Sequence, residues 1–323
     1  MDPAHAPAPG VPPEGVVSTV TAAVAGVRAL GRLDAERSPQ YPVPRFWKLL
    51  LPRISAGMVP FEQACQTAPM SDLLNGRVVL VTGASSGIGA AAARVFSQEG
   101  ATVVLAARRE DRLAALVAEL RDKGAEASHV VCDVTVAEDA ARAVDFAVNT
   151  YGRLDSAFNN AGLGGDRTPL HLMGDDVYDA VMDVNVRGVW NCLRYEIAAM
   201  LSNDGGCSIV NTASVGGLVA IPAAAPYIAA KHAVVGLTRA AADEYAQQGI
   251  RVNAVAPGTT RSEITADWFG RNPGLEEMVN SMTPQGRTAE PEEVANAAAW
   301  LLSDRCPFLT GTVLPVDGGF VNQ

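Results

Sequence analysis

From residue 70 onward, short apolar runs rich in Val, Ile and Leu alternate with stretches whose apolar residues recur at helical spacing. The runs fall at 77–82, 102–107, 128–132, 156–159, 208–212, 251–255 and 313–316. Most are largely apolar instead of alternating, as strands are when helices cover both faces of their sheet. Helical patterns lie between them, for example at 90–98, 112–123 and 138–151. This order predicts βαβ units with right-handed crossovers. The expected fold is a doubly wound parallel α/β sheet of about seven strands. Residues 1–69 have another texture: Pro-rich at 3–13, small-residue at 16–30, Pro-punctuated at 41–54. A helix over 16–30 would bury little, because its face is mostly Ala, Val and Gly. The chain thus divides into an N-terminal extension, 1–69, and one catalytic domain, 70–323.

The first run leads directly into Thr82-Gly83-Ala84-Ser85-Ser86-Gly87-Ile88-Gly89, and a helical pattern follows. Gly83 allows a sharp turn out of the strand, Gly87 lets backbone approach a pyrophosphate, and Gly89 lets the helix pack close to the sheet. The helix N-terminus offers N–H groups and a positive dipole end to phosphates. A tight βα turn without ligand is the alternative, but strand, loop and helix in this order favour a dinucleotide. At the end of the second run an acidic residue would select NAD. Here Ala107 takes that place and Arg108 follows, with Arg109 after it. A guanidinium suits a 2′-phosphate, so NADP is favoured over NAD. Solvated charges at a helix start are the plainer reading of the same pair.

Three polar signals lie further on. Ser214 follows a strand, Tyr227-Ile228-Ala229-Ala230-Lys231 opens a helical pattern, and Asn185 lies in Asp183-Val184-Asn185-Val186. Residues four apart share a helix face, so Tyr227 and Lys231 meet. Reduction of a ketone needs a proton donor for the developing alkoxide. A tyrosine serves at neutral pH if a neighbouring positive charge stabilises its phenolate. Lys231 supplies that charge, and Ser214 hydrogen-bonds the same substrate oxygen. Lys48, Lys123 and Lys231 are the only lysines, which makes a chance Tyr-Lys spacing of four uncommon. Asn185 alone reads equally well as a capping or buried hydrogen-bonding residue.

Composition narrows the partners. Net charge is −10, and no basic patch stands out, which argues against nucleic acid. Five scattered cysteines without a CxxC pair read as reduced thiols in a cytoplasmic protein. Four scattered histidines give a metal site no support. No apolar run is long enough for a membrane span, and the Met1-Asp2-Pro3 start does not read as a secretory signal.

Taken together, residues 70–323 resemble the short-chain dehydrogenase/reductase family along their whole length. The TGxxxGxG loop is Thr82 to Gly89, and the NNAG motif is Asn159-Asn160-Ala161-Gly162. The tetrad falls on Asn185, Ser214, Tyr227 and Lys231, with thirteen residues from Ser to Tyr. The resemblance implies a Rossmann-like fold and a cofactor site at Gly83, Ser85, Ser86, Gly87, Ile88, Gly89, Arg108, Asp133, Val134, Asn160, Tyr227, Lys231, Pro257, Gly258 and Thr260. Asp133-Val134 would contact adenine, Pro257-Gly258 would turn beside the nicotinamide, and Thr260 would meet its carboxamide. Lys231 would also bind the nicotinamide ribose, and Asn185 would hold a water that passes protons to Lys231. Asp317-Gly318-Gly319 matches the family's late motif. Ser262 stands where many members carry the last Thr of PGxxxT. Helices at 174–202 and 227–247 would pair across a subunit interface, giving a homotetramer or dimer.

The substrate loop is expected between Gly258 and Pro284, with Trp268, Phe269, Met278 and Met282 as an apolar lid. Those side chains equally suit plain packing of lid on sheet. Gly162, Gly164 and Gly165 leave room beside the nicotinamide. The substrate reading is a small molecule: a ketone or secondary alcohol, cyclic or lipophilic. A 3-oxoacyl thioester reductase is the second enzyme reading, and its carrier-bound form sits awkwardly with the acidic charge. A cofactor-binding regulator without turnover has no need of Tyr227. Met70 to Gly76 resembles the natural start of many members, so the extension reads as an upstream start, an added segment or an interaction arm. Phe46, Trp47, Leu49, Leu50 and Leu51 form its dense apolar cluster.

Overall fold

The computed structural model describes residues 72–322, apart from 165–167, 205 and 222–223. The extension with its apolar cluster, Met70 and Gly165 lie outside the described residues. Seven parallel strands form one sheet in the order β3-β2-β1-β4-β5-β6-β7. They are β1 (Val78–Thr82), β2 (Thr102–Ala107), β3 (Ala127–Val131), β4 (Ser156–Asn159), β5 (Cys207–Thr212), β6 (Ile250–Pro257) and β7 (Val313–Val316). The helices are α1 (Gly87–Gln98), α2 (Glu110–Asp122), α3 (Ala137–Tyr151), α4 (Asp175–Met182), α5 (Gly188–Met200), α6 (Ala225–Tyr245), α7 (Glu263–Arg271), α8 (Leu275–Met282) and α9 (Pro291–Leu302).

Strand periodicity sorts the core into two layers. Val79, Val81, Phe158, Val210 and Val255 face one side and pack with α1, α2 and α9. Leu80, Ala157, Ile209 and Ala254 face the other and pack with α3, α5 and α6. Phe96 of α1 meets Phe158 edge to face, ring centroids 5.7 Å apart. Both sheet faces are covered, which is why the strands read as continuous apolar runs.

Two expectations need adjusting. The helix expected over 174–202 is interrupted by a π turn at Asp183–Arg187. Gly188 lies so close to Val134 that a Cβ there would stand 2.7 Å from its Cγ2. Such turns recur at functional sites, and this one carries Asn185 inward to complete burial. β6 runs to Pro257, beyond the expected end at 255, because its last residues pair with β7. The four described cysteines, Cys132, Cys192, Cys207 and Cys306, are free and buried.

A polar chain crosses the core between β4, β5, α5 and α6. Asn159 Nδ2 donates to Glu196 Oε2 at 2.9 Å and to Asn211 Oδ1 at 3.1 Å. Asn211 Nδ2 donates to Thr238 Oγ1 at 3.0 Å. Glu196 Oε1 and Asn159 Oδ1 have no partner. Burial raises the Glu196 carboxyl to about 7, against the opposing hydrogen bond from Asn159. Its folded form therefore holds a proton that the unfolded form has released. That contribution to stability falls as pH rises from the ordinary carboxylate range to about 7. Glu196→Gln should be neutral near pH 5 and stabilise by about 1–3 kcal/mol near pH 8. Urea unfolding at both pH values checks this; an equal loss at both contradicts it.

Candidate active site

Strand order reverses between β1 and β4, so the chain leaves these two neighbours in opposite directions and opens a crevice at their C-terminal ends. The glycine loop fills one wall. Gly83 sits at φ +66°, and a Cβ there would stand 2.8 Å from Ala161 Cα. At Gly89 a Cβ would stand 2.3 Å from the Gly83 carbonyl oxygen. Asn160 braces the loop: its N–H donates to Thr82 Oγ1 at 3.1 Å and its Nδ2 to Thr82 O at 3.4 Å. Ser86 is the N-cap of α1 but makes no side-chain cap. The first-turn N–H groups of α1 thus keep their capacity for an anion. This cradle fits a dinucleotide, and Gly87, Ile88 and Gly89 are the residues that would hold its pyrophosphate.

At the end of β2 the two arginines part company. Arg108 is exposed and comes within 4.0 Å of Asp133 Oδ2. Arg109 folds over the glycine loop, donating to Ser85 Oγ at 2.8 Å and Ser86 Oγ at 2.7 Å. Asp133 Oδ1 accepts from the Thr135 N–H and hydroxyl at 3.0 and 2.8 Å. Val134 is buried, and its carbonyl accepts from Asn191 Nδ2 at 2.9 Å.

Opposite the loop, α6 starts at Ala225 with Pro226 in its first turn, a position that costs no hydrogen bond. Tyr227 and Lys231 share its face, and Lys231 Nζ is 5.6 Å from the Tyr227 ring centroid. Lys231 is buried and donates to the Thr212 carbonyl at 2.8 Å. Desolvation lowers its ammonium to about 8. Burial raises the Tyr227 phenol, and a hydrogen bond with Ser214 works the other way. Lys231 Nζ thus serves the Thr212 carbonyl and also stands beside the Tyr227 ring, and burial favours the neutral phenol. Ser214 Oγ also accepts from the Gly216 N–H at 3.1 Å, which fixes its position beside Tyr227. A Cβ on Gly216 would stand 3.4 Å from Tyr227 Cε1 and 3.5 Å from Ser214 Oγ, which places this glycine between the two.

Asn185 joins the group through Gly162, whose Cβ position is 3.1 Å from Asn185 Oδ1 and 3.7 Å from Lys231 Nζ. Asn185 Nδ2 donates to the Leu163 and Val181 carbonyls at 2.8 and 2.9 Å, and Oδ1 accepts from the Leu163 N–H at 3.2 Å. Its amide is committed to holding the segment after β4 against the π turn.

The segment from Gly258 to Gln285, where a lid is expected, is tied at both ends. Gly258 abuts the Asp317 turn, where a Cβ would stand 2.9 Å from Asp317 Cα. The Thr260 hydroxyl donates to the Gly258 carbonyl at 3.1 Å, and its side chain is buried. Ser262 caps α7 in a reciprocal pair with Thr265. Gln285 N–H closes the far end on the Gly318 carbonyl at 3.1 Å. Trp268 and Phe269 stack with centroids 5.5 Å apart, and Met278 and Met282 are about half exposed. Sequence reasoning missed Thr212, Gly216, Arg112 and Glu263. A bare carbonyl, a lone glycine and charges far apart in the chain carry no signal there.

A doubly wound sheet with a phosphate cradle at its switch point, and a serine, tyrosine and lysine across from it, defines a nicotinamide-dependent oxidoreductase of CH–OH and C=O groups. A family model described as Enoyl-(Acyl carrier protein) reductase matches residues 83–321. The A-factor type gamma-butyrolactone 1′-reductase (1S-forming) of Streptomyces virginiae is 64% identical over 248 residues, covering 77% of this chain and 96% of that protein. Cyclohexanol dehydrogenase of Acinetobacter sp. (strain SE19) is 41% identical over 254 residues, covering 79% and 98%. Among solved structures, a point variant of actinorhodin polyketide ketoreductase with NADPH matches with a TM-score of 0.73 at 35% identity, covering 79% of this chain and 100% of that one. The chain belongs to the short-chain dehydrogenase/reductase family.

Proposed function

We propose that this enzyme uses NADPH to reduce the 1′-keto group on the side chain of a γ-butyrolactone to the 1′-alcohol. The observation that carries this reading is 64% identity, across nearly the whole catalytic domain, to a gamma-butyrolactone 1′-reductase. When bound, the reduced nicotinamide supplies the hydride. The chain's own residues handle the oxygen. Tyr227, neutral in this setting, donates the proton, and Ser214 donates a hydrogen bond to the same oxygen. Lys231 keeps a cation beside the tyrosine ring, and Asn185 holds the wall behind it. The stacked Trp268 and Phe269 with Met278 and Met282 suit an apolar substituent on the lactone. A panel of a 1′-oxo γ-butyrolactone, cyclohexanone and a 3-oxoacyl thioester tests the choice. The lactone should give the highest kcat/KM by at least about tenfold, a difference of about 1.4 kcal/mol in transition-state binding. A thioester preferred over the lactone overturns the substrate assignment.

Ala107 at the end of β2, with arginines next, supports NADP over NAD. Arg108→Ala should weaken NADP by about one power of ten or more and NAD little, since a charge-assisted phosphate contact is worth about 1.5–3 kcal/mol. Equal losses for both, read by calorimetry, would sink the assignment. A cytoplasmic homotetramer or dimer belongs to the same reading. The half-exposed Trp190 on α5, with Arg194 5.9 Å from its ring, suits a subunit contact. No helix among the described residues is long and apolar enough to cross a membrane.

The domain boundary at 69/70 is part of this proposal. A chain begun at Met70 should fold and turn over with kcat within about twofold of the full chain, because every motif above follows it. Any change should fall on oligomer size or melting temperature, through loss of Phe46 to Leu51. A folded but inactive truncation, by steady-state kinetics and light scattering, would move residues of the extension into the active site.

A further inference from the structure

The first residue of the lid reaches back across the cofactor crevice. Glu263 Oε2 accepts from Arg109 Nη1 at 3.0 Å, and its Oε1 pairs with Arg112 Nη1. The same Arg109 guanidinium lies on Ser85 and Ser86 of the glycine loop. The start of α7 is seated there too: Ser262 Cβ is 3.3 Å from the Cβ position of Gly87. The two arginines hold the Glu263 carboxyl below the usual range. Two guanidinium groups thus meet one carboxylate just past the end of β2, and one of them also rests on two hydroxyls of the glycine loop. This is the donor set that a phosphate monoester takes.

Resting on the NADP reading above, we infer that Glu263 is a built-in competitor of the cofactor's 2′-phosphate for Arg109 and Arg112. The carboxylate and the phosphate take the same donors, so binding the phosphate releases the lid's N-terminal tether. Arg109 and Arg112 thereby set cofactor preference together with Arg108. Lid position is linked to which nicotinamide is bound, because a dinucleotide without the 2′-phosphate brings no charge to this place with which to displace Glu263. Each of these ion pairs is partly exposed, so the exchange is energetically modest and salt-sensitive.

Glu263→Gln keeps the length of the side chain and removes its charge. The probes are adenosine 2′-monophosphate and adenosine 5′-monophosphate, then NADP and NAD, each titrated by calorimetry into the full chain at low and high salt. The variant should bind the two 2′-phosphorylated compounds about three- to tenfold more tightly than wild type, with the other two unchanged. The gain should shrink at high salt, and Glu263→Asp should behave as wild type. Arg109→Gln should cost 2′-phosphate affinity in the wild-type background. An unchanged 2′-monophosphate affinity in Glu263→Gln, with melting temperature intact, overturns the inference. So does an equal change for all four probes. A wild-type enzyme that binds NAD better than NADP overturns the cofactor reading instead, and the 2′-monophosphate titration still decides the competition.

Discussion

Tyr227→Phe is expected to lower kcat by at least about 10²- to 10⁴-fold, the range supplied by a positioned general acid, and to leave cofactor affinity within about twofold. The ring keeps its packing beside Gly216 and its place 5.6 Å from Lys231 Nζ, so only the proton is lost. Lys231→Met should behave differently. It removes a buried ammonium and leaves the Thr212 carbonyl without its donor, so both cofactor affinity and turnover should fall. Steady-state kinetics with cofactor titration of both variants separates the two roles. Retention of more than a few per cent of kcat in Tyr227→Phe would mean that the proton comes from elsewhere.

Gly89→Ala is expected to abolish dinucleotide binding while Gly76→Ala, at a surface turn, does not. The new Cβ would lie 2.3 Å from the Gly83 carbonyl oxygen and 2.8 Å from Asn160 Nδ2. Backbone is on one side of that contact, so the loop and α1 must separate. Overpacking of this kind costs about 1–3 kcal/mol of stability, and it displaces the N–H groups that would meet the pyrophosphate. By contrast, no heavy atom lies within 4 Å of a Cβ at Gly76. Only its positive φ of +73° is strained there, so the cost falls on stability and not on binding. Calorimetric titration of NADP and a thermal melt of each variant make the comparison. Wild-type affinity in Gly89→Ala would contradict the close-packed cradle.

The sheet was legible because burial on both faces leaves continuous β-branched runs, and three of the seven strands begin and end where those runs do. Boundaries slipped where tertiary pairing decides them, as at Pro257, held in the sheet by Val316. The Tyr227-Lys231 spacing and the glycine loop were legible because each is local, set by one helix turn or one strand-loop-helix junction. The π turn at Asn185 was not: beside it Gly188 passes close against Val134 on a distant segment, a contact that local spacing does not disclose. Arg109 had a solvated charge as its plainer reading, and its partner went unseen for the same reason: 154 residues separate Arg109 from its carboxylate. Asn159 looked like one letter of a motif; only the fold discloses that it ties Glu196 to Asn211 inside the core.

The most direct measurement is NADPH oxidation by the wild-type full chain with a 1′-oxo γ-butyrolactone, followed by the absorbance of the reduced cofactor, with the 1′-alcohol quantified in the same reaction. The account predicts one alcohol formed per NADPH consumed, in wild type only, with Tyr227→Phe binding NADPH but leaving both cofactor and ketone unchanged. Tight NADPH binding with no oxidation against any ketone of the panel, or equal turnover in Tyr227→Phe, would contradict it.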